Sequence, residues 1–281
     1  MAHLMDSTSL QRSPRGISAD NRALLEHLHR ELPNAFDVND AAGVLARDAH
    51  HTRRLLAYLA RRGWLSRVRR GLYVTVPLDT RRPGEWTDDP WVVAERLFSP
   101  CYIGGWSACE HWGLTEQTFR TVLVVTAKAI RERSQLIQGT PYRLTHRSKD
   151  KHFGLDVIWR GQVRVNVSDP SRTVVDLLDD PTLGGGIRSV ADVLHEYLID
   201  QYRDDDRLIE YADRLGNRAV FKRLGFLLEH MNVDGELLTE AAFKRRSAGL
   251  ATLDPSVDNK GQIVRRWGIR ANAILETPAG G

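Results

Sequence analysis

Apolar positions along the chain fall into blocks of different period, and these blocks predict its elements. Leu24, Leu25, Leu28 and Leu32 recur at helical spacing behind Ser18, whose hydroxyl can cap the helix, and Pro33-Asn34 stop it. Asp37 can cap a short second helix that carries Ala41, Ala42, Val44 and Leu45. Asp48 can cap a third over Ala49–Arg62, ended by Gly63. Leu65–Val68 and Leu72–Val76 then flank Arg69-Arg70-Gly71, the pattern of two short strands and a tight basic turn. Three helices followed by a hairpin is the order of a winged helix-turn-helix.

After residue 90 the pattern mixes periods. Trp91–Leu97 reads as a helix and Tyr102–Trp112 as a buried one. Thr121–Thr126 is a strand, and Leu155–Trp159 with Gln162–Val167 form a hairpin about Arg160-Gly161. Asp169 and Pro170 occupy the N-cap and first position of a helix that runs to Leu178. A break at Leu183–Gly186 precedes helices over Val190–Tyr197 and about Arg207–His230, and Gln262–Ala273 is again strand-like. The chain is therefore expected to be α+β: a winged helix-turn-helix domain followed by a larger mixed α/β domain. The expected divisions are a flexible tail over residues 1–17, the winged helix over 18–80, a linker over 81–90 rich in Pro, Gly and charge, and the second domain over 91–281.

Charge changes this picture more than composition does. The 281 residues carry a net charge of only +4. Residues 47–82, however, contain ten arginines against Asp48 and Asp79, which leaves the rest of the chain slightly acidic. A basic segment on an acidic body is the footprint of a phosphate-binding surface, although a solvated helix face has the same composition. The helical wheel separates the two. Ala49, Thr52, Leu55, Leu56, Leu59 and Ala60 share one side of the third helix. His50, Arg54, Ala57 and Arg61 lie opposite, with Arg53 and Tyr58 beside them. Donors interrupted by a small alanine suit a helix that enters a DNA groove, and Arg67, Arg69 and Arg70 would grip the backbone from the hairpin. The candidate DNA-binding set is thus His50, His51, Arg53, Arg54, Tyr58, Arg61, Arg67, Arg69 and Arg70.

Other chemistry is thin. The apolar runs are far below the ~20 residues of a membrane span, and no signal-peptide core follows Met1, so a cytoplasmic protein is expected. Two cysteines, Cys101 and Cys109, make no disulfide framework. His50 and His51 point about 100° apart on a helix, which disfavours a shared metal. Cys109 and His111 fall on different helix faces, and Gly184–Gly186 lack the residues of a phosphate loop. Asp204–Asp206 sit where acids favour a helix N-terminus. Asp156 is followed on the next strand by Arg164 and Asn166, not by the acid-x-Lys of a nuclease. No enzyme, cofactor or metal is expected.

One run bears a family likeness. Tyr102-Ile-Gly-Gly-Trp-Ser-Ala-Cys-Glu-His-Trp-Gly-Leu-Thr-Glu116 resembles the Y-I-G-hydrophobic-S-A-L-x-x-x-G-L-T-E segment of AbiEi-type antitoxins of type IV toxin–antitoxin systems. Val122–Thr126, Val167-Ser-Asp-Pro-Ser-Arg-Thr-Val-Val-Asp-Leu-Leu178, Asn217–Leu228 and Trp267–Asn272 are similar in the same order. Arg62-Gly-Trp-Leu and Arg69-Arg-Gly-Leu-Tyr73 resemble the winged-helix ending, and Cys109 departs from the usual aliphatic residue. The resemblance implies a repressor that binds inverted repeats in double-stranded promoter DNA through the winged helix. It also implies a second domain that counteracts a nucleotidyltransferase-like toxin, with direct contact left open. The alternative is a winged-helix regulator whose second domain senses a small ligand in an apolar pocket.

Overall fold

The computed structural model describes residues 18–33, 35–69, 71–76, 89–161, 163–231 and 235–275, with Arg69 as backbone only. The expected tail, Arg70 and most of the expected linker lie outside the described residues. The chain divides into two compact units, Met1–Thr87 and Asp88–Gly281.

In the first unit, α1 (Ala19–Glu31) is capped by the Ser18 hydroxyl, which accepts the Asn21 N–H at 3.3 Å. A reciprocal box between Asp37 and Asp40 opens α2 (Val38–Leu45), so both orphan donors of its first turn are satisfied. Next come α3 (Ala49–Arg61), β2 (Leu65–Arg69) and β3 (Leu72–Thr75). The pattern of apolar positions missed β1 (Phe36–Asp37), which pairs antiparallel with β3 and extends the hairpin to three strands. Two residues are too few to show a period, but Phe36 is fully buried against Leu25, Leu28, Ala41, Leu56, Leu59, Leu65 and Tyr73. This order of helices and sheet is a winged helix-turn-helix.

The second unit is built on a mixed six-stranded sheet. Its strands are β4 (Cys101–Ile103), β5 (Val122–Thr126), β6 (Ser134–Ile137), β7 (Thr140–His146), β8 (Leu155–Arg160) and β9 (Val163–Ser168), ordered β6-β7-β5-β4-β9-β8. Helices α4 (Pro90–Phe98), α5 (Gly105–Trp112), α6 (Pro170–Asp179), α7 (Ile187–Ile199), α8 (Asp205–Leu215), α9 (Ala219–Met231) and α10 (Glu236–Arg245) surround it. A small sheet of β10 (Ala251–Thr252), β12 (Ile269–Ala271) and β11 (Gln262–Val264), in that order, follows.

Three expectations are corrected. The single buried helix over Tyr102–Trp112 is a central strand and a helix. The backbone of Tyr102 and Ile103 pairs with β5, and that of Ile103 also with β9, before Gly104-Gly105 turn the chain. Gly105 has φ +50°, and a Cβ there would stand 2.4 Å from the Leu183 carbonyl oxygen. The helix expected over about Arg207–His230 is broken into α8 and α9 by Gly216 (φ +85°), and Asn217 receives the Ala219 N–H. The strand-like Gln262–Ala273 is a hairpin turned at residues 265–268, which seats the fully buried Trp267. Gly225 of α9 makes room for it, since a Cβ there would lie 2.0 Å from the indole. The β6–β7 hairpin and α10 had no counterpart in the sequence reading.

The Val167–Leu178 run turns out to be a buried polar hub. Asp169 accepts the Arg172 N–H at 2.7 Å as N-cap of α6 and takes the Tyr211 hydroxyl at 2.9 Å on its other oxygen. Arg172 is 0% exposed; its Nε donates to Asp176 Oδ1 at 3.0 Å, and its guanidinium lies over the Phe153 ring at 4.0 Å. Tyr102 completes the hub by donating to the second Asp176 oxygen at 2.8 Å. Burial, and then the Asp176 carboxylate, push the Tyr102 phenol up, so it stays a donor. Ser171 bonds Tyr197 at 2.9 Å, and Arg147 ties Asp179 at 2.6 Å.

Candidate nucleic-acid interface

The Asp48 carboxylate accepts the N–H groups of His50 at 2.9 Å and His51 at 3.0 Å, which starts α3. The His51 backbone N–H, followed by its ring, holds the Asp48 carboxyl below the usual range, so the cap remains an anion. At the other end Gly63 (φ +80°) lets the Trp64 N–H return to the Leu59 carbonyl at 3.0 Å. Between these caps Thr52, Leu56 and Leu59 are buried, and Leu55 and Ala60 are half-buried. That inner stripe fixes the outer one. His50, His51, Arg53, Arg54, Ala57, Tyr58 and Arg61 are all exposed.

The hairpin adds to this face. Arg67 stands opposite Tyr73 in register, and the two share a side of the β-ribbon. Together with Arg54, Leu55, Ala57, Tyr58, Ala60 and Arg61 they line a groove of about 790 Å³. The fold thus brings Arg54, Tyr58, Arg61 and Arg67 into one concavity. His50, His51 and Arg53 are exposed on α3 without lining it, and the His51 ring is tied back to the Asp48 carboxylate. The side chains of Arg69 and Arg70 lie outside the described residues. Tyr73 and the Arg62 guanidinium, 5.6 Å from the Tyr58 ring centre, were missed. The signal for Tyr73 was hairpin register, which becomes readable only once the turn is placed.

The groove lining contains arginines and no acidic residue. Among the described residues, no carboxylate pairs with Arg53, Arg54, Arg61 or Arg67. Four guanidinium groups therefore carry charge without a carboxylate partner toward water, at or beside a concave surface lined in part by the small residue Ala57. Such a surface can accept a polyanion.

The second unit offers less chemistry. Cys109 is buried, and burial pushes its thiol up to about 12, while His111 lies on the exposed side of α5. Asp204 caps α8 by accepting the Arg207 N–H, and Asp205 pairs with Arg203. Among the described residues, no three His, Cys, Asp or Glu side chains are grouped to hold a metal ion. A cleft of about 540 Å³ is lined by Asp89, Trp91, Glu110, His111, Arg120 and Arg160 among others, more ionic than an apolar ligand pocket. No helix among the described residues is long and apolar enough to cross a membrane.

The first unit is thus a winged helix-turn-helix with a basic concave face. Residues 23–76, from α1 through β3, match the family described as transcriptional regulator, AbiEi antitoxin. No curated protein matches the chain.

Proposed function

We propose that this protein is a non-enzymatic DNA-binding antitoxin that represses its own toxin–antitoxin operon. The observation that carries this reading is the concave face of Arg54, Tyr58, Arg61 and Arg67, open between α3 and the hairpin and, among the described residues, free of carboxylate partners. In this reading α3 enters the major groove with Ala57 allowing close approach, and Arg54 and Arg61 reach base edges. Arg67, Arg69 and Arg70 hold phosphates; Tyr58 adds a contact within the concavity, and His50, His51 and Arg53 add contacts at its margins. Inverted promoter repeats would be spaced near whole turns of the duplex, ~10.5 bp each. The second unit counteracts a nucleotidyltransferase-like toxin encoded alongside, in the cytoplasm.

The test is titration of fluorescent duplex from the chain's own promoter. Arg54→Ala together with Arg61→Ala is expected to weaken binding at least tenfold, since each good base contact is worth about 1–3 kcal/mol. Arg67→Ala is expected to lower the salt slope by about one. Wild-type affinity and slope in these variants would overturn the assignment of the face. Co-expression with the neighbouring toxin separates the two roles: the Arg54/Arg61 variant should lose repression yet still protect the cell. Loss of protection while the protein stays folded and abundant would refute an antitoxic second unit.

A further inference from the structure

The six-stranded sheet ends on two unlike edges. β6 is four residues long and lies in a charged stretch with Arg131, Glu132 and Arg133. β8 is six residues long, and it pairs with β9 from Leu155↔Ser168 to Arg160↔Val163 without a register shift. Among the described residues no strand pairs with its outer side. It contains no proline and no bulge, two of the devices by which edge strands avoid pairing. One face of β8 shows Val157 and Trp159, 41% and 63% exposed, and the other carries Asp156, Ile158 and Arg160. Alternate residues of such a strand turn their backbone N–H and C=O groups to the open side, where another strand can bond them.

The charges on β8 are of opposite sign, and their spacing makes the strand complementary to itself. Two antiparallel copies must place same-face residues opposite each other. With the two-fold axis at Ile158, Asp156 faces Arg160 of the second copy and Arg160 faces its Asp156. Val157 and Trp159 then face each other twice on the other side, and Ile158 faces Ile158. Moving the axis to Val157 sets Asp156 against Ile158, and moving it to Trp159 sets Arg160 against Ile158, so both lose the charge match. The Arg160 guanidinium is also held at this edge: it lies 4.6 Å from the Trp91 ring centre and 3.9 Å from Asp89, and its side chain is still 38% exposed. Asp156 has no ion pair among the described residues.

We propose that two copies of this chain join through β8, antiparallel and centred on Ile158, into one continuous sheet with reciprocal Asp156–Arg160 and Val157–Trp159 pairs. The contact is a single strand edge, smaller than the roughly 1,600 Å² of a standard interface, so the dimer forms by mass action as concentration rises. The proposal does not depend on the DNA-binding reading and is tested without DNA.

Sedimentation equilibrium of the full chain should show a monomer–dimer exchange. Asp156→Arg, at an exposed position, puts like charges opposite each other twice and should weaken the dimer roughly tenfold or more. Under a mild oxidant Ile158→Cys should cross-link as a dimer and Val157→Cys should not, because residue 157 faces residue 159. A wild-type chain that stays monomeric up to its solubility limit would sink the proposal. So would a dimer indifferent to Asp156→Arg, or cross-linking equally efficient at 157 and 158.

Discussion

Arginine does opposite work in the two units. On α3, Arg53, Arg54 and Arg61 project from a helix whose inner face is all that the core requires, and among the described residues no carboxylate meets them. On α6, Arg172 sits at 0% exposure, bonded to Asp176 and the Tyr102 hydroxyl and stacked on Phe153. Charge left unpaired at a surface costs little and remains available to a ligand. Charge taken from water survives only where partners replace the water. The same residue type therefore forms an open basic face in one unit and holds a fold together in the other.

The comparison breaks most sharply at Asp176. Asp176→Ala leaves the Arg172 guanidinium buried without its anion, and it is expected to cost about 3–5 kcal/mol, the usual loss when one partner of a buried pair is removed. Chemical denaturation should show the loss in the second unit, with promoter affinity retained; a loss within about 1 kcal/mol would mean that Arg172 does not depend on the Asp176 anion. Asp169→Ala comes next. It removes the α6 cap, about 1 kcal/mol, and the bond from the half-buried Tyr211 hydroxyl, about 0.5–1.5 kcal/mol more. Asp169→Asn keeps the cap acceptor, and its amide N–H can donate to the Tyr211 oxygen instead of accepting from it, so it should cost clearly less, because burial already raises the carboxyl of Asp169. Equal melting of the two variants would contradict this account. Arg54→Ala, by contrast, should move stability by no more than about 0.5 kcal/mol, as exposed substitutions do. A clear drop in its melting temperature would show that α3 needs its outer face to fold.

The smallest expected effect is on pH dependence. Burial, and then Arg160, lower the pKa of His111; burial also lowers that of His152, with Arg172 adding to it against the bond that the His152 ring donates to the Arg147 carbonyl. A histidine with a depressed folded value binds its proton more readily when unfolded. Its contribution is complete above the unfolded value of about 6.5 and declines as the pH falls below it. Melting of the second unit between pH 7 and 5 should therefore drop, and drop less in His152→Gln. A flat profile would exclude the effect.

Much of the first unit is legible in the sequence. Ser18, Asp37, Asp48 and Gly63 begin and end helices through local hydrogen bonds, and local bonds are written in local residues. The two faces of α3 followed from periodicity alone, which is why the exposed arginines could be named. What stayed hidden depended on distant contacts. Cys101–Ile103 looks like the start of a helix until β5 and β9 supply its bonds. Gly225 has no evident purpose until Trp267, from a hairpin about 40 residues later, lies against it. The Asp169–Asp176 segment shows a cap in its sequence but not the partners Tyr102, Tyr197 and Tyr211.

The sequence by itself determined the helices of the winged unit, the basic side of α3 and the division of charge along the chain, because capping and amphipathic periodicity act over a few residues. Only the tertiary structure decided that Arg54, Tyr58, Arg61 and Arg67 share one concavity. It also decided that Arg172 is buried and that β8 lies at an open edge. Those facts depend on which remote segments replace water around each group, and neither local spacing nor net charge contains that information.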